Sequence, residues 1–231
     1  MLVDIFSTFD DHNFVFMNYY ILMWVLVLFC GSFLFCMKWV SSSLSMELFN
    51  VLKLVVFTQS SRSFGSKLGG FSLVLSSFFI VLFVFNMSGL VPYVFSVSAH
   101  LSFSLSFGFC FWASLIISSF SYNFLVSLSH LLPVGAPSFL NPFLVLVETA
   151  SIFFRPLTIS IRLVANISAG HIVLGLVGSF LCEAIISGSL ISLVVICMLE
   201  MGYFTFEFGV AMIQSYIFCL LVSLYSEEHA F

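Results

Sequence analysis

A chain of 231 residues in which 61% are hydrophobic and only 7% charged is excluded from the soluble globular class and is expected to be an integral membrane protein. Its formal net charge of −4 argues against a nucleic-acid partner. The apolar residues run continuously rather than alternating, which excludes a membrane β-barrel and leaves spanning helices, so the expected class is all-α.

The first thirteen residues carry Asp4, Asp10 and Asp11 without a basic residue, unlike a signal or transit peptide. Residues 14–37 hold no charge and read as the first spanning helix, with Tyr19, Tyr20 and Trp39 as interfacial anchors near its ends. Residues 38–70 then concentrate four of the six basic side chains, Lys38, Lys53, Arg62 and Lys67. By the positive-inside rule this segment faces the matrix or cytoplasm and the acidic N-terminus lies outside. Within it, residues 46–57 mix charges with Leu, Val and Phe, and are read as an interfacial amphipathic helix or, alternatively, a charged loop.

No Asp, Glu, Lys or Arg occurs between Lys67 and Glu148, and residues 71–132 accommodate two membrane helices. The first, 71–95, is interrupted near its end by Asn86, Ser88, Gly89 and Pro92, and the second, 101–125, is rich in serine, a residue that allows close helix packing. His100 and His130 bracket one segment and do not face each other across two helices, so haem ligation is not expected. The six cysteines are scattered without a CxxC pair, and neither a metal nor any other cofactor is expected. Pro133, Gly135, Pro137 and Pro142 form a break, and Asn141-Pro142 has the composition of a helix start.

From Pro142 an apolar run continues to residue 180, about 58 Å of helix at 1.5 Å per residue against a hydrocarbon core of about 30 Å. Glu148, Arg155 and Arg162 recur every seven residues and therefore share one stripe, joined by Asn166. His171 points to the other side, and Pro156 can bend the helix and shift these angles. An arginine at mid-membrane costs about 2.5–3.5 kcal/mol. Either the arginines snorkel or pair with Glu148 to hold the fold, or they line a functional cavity. Glu183 through Ser189 reads as a turn, and a second long run over 190–225 carries Glu200, Glu207 and Gln214, again at intervals of seven. Two overlong antiparallel helices, each with a polar line, suggest a proton-conducting path. Ser226 to His229 are expected to close the chain in water.

The segment SIRLVANISAGHIV around Arg162, preceded by HLLPVGAPSFLNPFLVLVETAS and followed by EFGVAMIQSYIFCLLVSLY, resembles the subunit a family of F-type ATP synthases, the mitochondrial form closely. NMSGLVPYVFSVSAHLS from Asn86 matches the same family, and the likeness covers about residues 86–226. The resemblance implies one multi-pass domain over 1–231 in the mitochondrial inner membrane, with its N-terminus toward the intermembrane space. Its long hairpin, 138–180 and 189–226, would lie tilted against a ring of c subunits. It implies that Arg162 is the essential arginine facing the ring carboxylates, with protons as the transported ion. His171 and Glu207 match an interacting pair of the outer half-channel, Asn166 and Gln214 match positions near the arginine, and Glu148 matches a position toward the inner half-channel. Arg155 and Glu200 stand where the family allows glutamine and apolar residues. Implied partners are the c-ring, the peripheral stalk, other membrane-sector subunits and the bilayer.

Two other classes fit intramembrane charge. A secondary transporter would show internal repeats, and no second copy of either long segment is found. A structural subunit of a redox complex would tolerate loss of Arg162 without loss of proton coupling. With no GxxxxGK[ST] sequence, the chain is not itself a nucleotide-using enzyme.

Overall fold

A computed structural model describes residues 25, 44–91, 96–129, 131–132 and 139–229, and all regular structure among them is helical. The expected first span, 14–37, and the break from Pro133 to Pro137 lie outside the described residues. Helix α1 covers Leu44–Arg62, α2 Phe71–Gly89, α3 Leu101–Tyr122, α4 Phe124–Ser129, α5 Asn141–Ser187 and α6 Leu190–Tyr225. Short 3-10 turns occupy Phe64–Lys67, Val97–Ala99 and Ser226–Glu228. Helices α2, α3, α5 and α6 are long and apolar enough to cross a bilayer, and the chain is an all-α membrane protein.

Of the two readings of the basic segment, the structure forms the helix. Glu47 sits in the first turn of α1 and Arg62 in the last, the arrangement that the helix dipole favours. Its buried face presents Val56 and Ser60 to Leu75, Tyr216 and Cys219, while Val51, Leu54, Val55 and Phe57 share the exposed arc with Glu47 and Arg62. Helix α2 stops at Gly89, six residues before the end of its apolar run, because Pro92 disfavours helical geometry in the residue before it and has no N–H to donate.

The two long helices differ from expectation in one boundary. The turn expected at Glu183 is helical, and α5 runs for 47 residues, about 70 Å of helical path. Glu183, Ala184, Ile185 and Ile186 have no reason to leave the helix, whereas Gly188 adopts φ +69°, a left-handed conformation that favours glycine and ends the run. Pro156 does not interrupt α5 either. Its missing N–H deprives the Ile152 carbonyl of its helical donor, and the Trp112 indole Nε1–H of α3 donates to that oxygen at 2.9 Å.

Packing divides the chain into two compact units. One comprises Met1–Glu47, Val81–His100 and Leu163–Ser215; the other comprises Leu48–Ile80, Leu101–Arg162 and Tyr216–Phe231. The second unit has an aromatic centre in which the Phe78 ring lies 5.0 Å from Phe107, 4.8 Å from Phe111 and 5.3 Å from Phe218. The described part of the first unit is built on Leu82, Phe85, Leu163, Ile167 and Ala211, all buried.

Candidate functional site

In the second unit the charges gather at Arg155. Its Nη2 lies 3.5 Å from Oε1 of Glu148, one stripe position earlier on α5, and its Nη1 donates to Oε2 of Glu228. The guanidinium also lies over the Tyr225 ring, 5.0 Å from its centroid. Glu228 arrives through the 3-10 turn that follows α6, and the neighbouring His229 is buried with its Nε2 3.0 Å from the Ser118 hydroxyl. The expectation that this tail ends in water holds for Glu227 and Glu228, which are exposed, and is corrected for Ser226 and His229, which are buried with the Ser223 carbonyl and the Ser118 hydroxyl as partners. A cavity of about 610 Å³ opens beside these groups, lined by Trp112, Ser119, Glu148, Arg155, Glu228 and His229 among others.

Arg162, on the same stripe as Glu148 and Arg155, is treated differently. Its side chain is exposed, and among the described residues it makes no ion pair. An exposed guanidinium on an apolar helix needs an anion or water.

In the first unit the centre is Glu207 of α6, 3% exposed. It fits against Gly170 of α5 so closely that a Cβ at that position would overlap its carboxyl group. His171 follows directly, and its Nε2 lies 3.8 Å from where a Cβ on Gly89 would stand. Tyr203, one turn earlier on α6, directs its phenol at the Glu207 carboxyl. Further along, the Asn166 amide donates to Gln214 Oε1 at 3.0 Å, and the buried Asn86 amide donates to the Ala211 carbonyl at 3.4 Å. Val81–His100 and Leu163–Ser215 contain no lysine or arginine.

Thus the structure joins Glu148 to Arg155, joins Asn166 to Gln214, and sets Glu207 against the turn that bears His171. Among the described residues neither the exposed Arg162 nor the half-buried Glu200 makes an ion pair. Sequence reasoning missed Gly170, Tyr203, Trp112 and the pairing of Glu228 with Arg155. Tyr203 was open to discovery by its four-residue offset from Glu207, whereas the fit of a glycine under a carboxylate on another helix leaves no mark in spacing. Carboxylate, imidazole, phenol and amide in one cluster form a set that can hold, orient and pass protons.

Comparison with known proteins adds a family relation. The profile described as ATP synthase A chain matches residues 15–227. The chain is similar to ATP synthase subunit a of Albinaria caerulea, with 36% identity over 230 residues, 99% of this chain and 100% of that protein. It is 38% identical over 238 residues to ATP synthase subunit a of Mytilus edulis, covering both chains fully, and 31% identical over 230 residues to that of Apis mellifera ligustica, 99% and 97% of the two chains.

Proposed function

The chain belongs to the ATP synthase A chain family, and from that premise we propose that it is the stator subunit lining two proton half-channels against a c-subunit ring. It is a multi-pass membrane protein, a non-catalytic subunit of the proton-translocating sector, and its animal relatives support a place in the mitochondrion. The finer reading puts it in the inner membrane with its N-terminus toward the intermembrane space. It assembles there with the ring, the peripheral stalk and the remaining membrane-sector subunits.

One observation carries this reading. The two arginines of the α5 stripe have opposite surroundings, Arg155 between two carboxylates and Arg162 exposed with no ion pair among the described residues. A cation left open on a membrane helix calls for an anion from another subunit, and a ring of membrane carboxylates supplies one after another as it turns. The guanidinium stays protonated at any working pH, so Arg162 favours the ionised ring carboxylate without carrying the proton itself. It thereby separates the half-channels. Each proton crossing gains about 2.3 kcal/mol per 100 mV, and a barrier to direct leakage makes that energy available to rotation.

Glu207 with His171 forms the outer relay, supported by Asn166 and Gln214, while Glu148 with Arg155 belongs to the inner half-channel. Glu200 continues the polar line of α6. The test is ATP-driven proton pumping and passive leak in membranes carrying Arg162→Ala, with complex assembly verified. Pumping is expected to vanish while leak rises. Normal coupled pumping would remove Arg162 from the mechanism.

A further inference from the structure

Helices α3 and α5 meet along three successive turns in antiparallel register. Ser104 Oγ lies 3.4 Å from the Ser160 carbonyl, Gly108 faces Pro156, and the Trp112 indole donates to Ile152. The positions step by four on both helices, 104, 108, 112 against 160, 156, 152, so each pair lies one turn from the next. The middle pair is a backbone approach. A Cβ on Gly108 would stand 3.3 Å from the Pro156 carbonyl oxygen and 3.9 Å from Ser160 Cβ, tighter at the oxygen than side chains ordinarily tolerate. That oxygen already accepts from the Ser160 hydroxyl at 2.9 Å. Ser104 and Ser160 are almost completely buried.

The outermost pair has a chemical reason the others lack. Proline at 156 leaves the Ile152 carbonyl without its helical donor, so another group must supply the hydrogen bond. Indole is a donor only, with its N–H at the edge of a large apolar ring, so it meets this oxygen while the ring packs among apolar side chains. The Trp112 ring is held from the side by Phe109 and Phe153, at centroid distances of 5.4 and 5.5 Å. Arg155 lies between Ile152 and Pro156, and Arg162 lies two residues beyond Ser160, so the zipper grips the segment that carries both arginines.

We propose that Trp112 is a positioning residue for proton coupling: its indole N–H replaces the donor removed by Pro156 and locks the register in which α5 presents Arg155 and Arg162. The inference rests on the stator reading above. Without the indole donor, α5 keeps its composition and its charges but loses one of the three contacts that fix its rotation and its height against α3.

The experiment compares Trp112→Phe, Pro156→Ala and the double variant in the intact, assembled complex, reading protons pumped per ATP hydrolysed, with Arg162→Ala run alongside. Trp112→Phe keeps an aromatic ring and removes the donor, and is expected to lower the pumping ratio about fivefold, in line with one half-buried carbonyl losing its partner. In the double variant residue 156 again has an N–H for Ile152, and the ratio is expected to return to that of Pro156→Ala alone. A merely bulky role for Trp112 would show no such rescue. Wild-type pumping in Trp112→Phe, or an unrescued loss in the double variant, would overturn the proposal. If the double variant does not assemble, Gly108→Ala probes the same register and is expected to lower the ratio, with unchanged pumping again overturning it. Normal pumping in Arg162→Ala would instead defeat the stator reading, so the two failures are distinguishable.

Discussion

Glu148 and Glu207 are both carboxylates on membrane helices, and the protein holds them in opposite ways. Glu148 stands beside Arg155 at the rim of an open cavity, its side chain 41% exposed, with Glu228 as a second anion on the same cation. Glu207 is 3% exposed, in described segments that contain no lysine or arginine, and a glycine admits it. The first carboxylate is placed by charge and the second by shape. A group placed by shape can exchange a proton without breaking an ion pair, whereas one placed by charge also has its position set by the guanidinium.

The strongest way to break this contrast is to fill the notch. Gly170→Ala puts a methyl group onto the Glu207 carboxyl, an overpacking that costs about 1–3 kcal/mol and is expected to reduce proton pumping about tenfold in assembled complexes. Pumping at the wild-type level would show that shape does not hold Glu207. Removing charge from the other cluster is expected to do less. Arg155→Leu leaves Glu148 and Glu228 unpaired, but these are 41% and 53% exposed, so the loss is held to about 1 kcal/mol and pumping to a decrease of about fivefold. Partial recovery by adding Glu228→Gln, measured as pumping and thermal inactivation together, would sharpen the assignment of charge to this site. An equal loss in both variants would contradict it.

The smallest effect is expected at the amide pair. Asn166→Leu removes the donor to Gln214, yet residue 166 is exposed and water can replace the amide, so about a two- to threefold fall in pumping is expected. A loss as deep as that of Gly170→Ala would move the functional weight of the first unit from the Glu207 notch to the Asn166–Gln214 bond.

The all-α membrane class, the four described apolar spans and the stripes of Glu148, Arg155, Arg162 and of Glu200, Glu207, Gln214 are legible in composition and spacing, because helix geometry converts spacing into faces without reference to anything else. The sequence also exposed Arg162 as a charge in need of a reason. Tertiary structure alone decided which charges are satisfied within the chain. Trp112 reaches Ile152 across 40 residues, Asn166 reaches Gln214 across 48, and Arg155 reaches Glu228 across 73. Such partners are chosen by how helices pack, and packing depends on the joint shape of several segments, so no period in one of them encodes it. The same holds for the end of α5. Every residue from Glu183 to Ser187 tolerates a helix, and the left-handed conformation of Gly188 is where the chain turns.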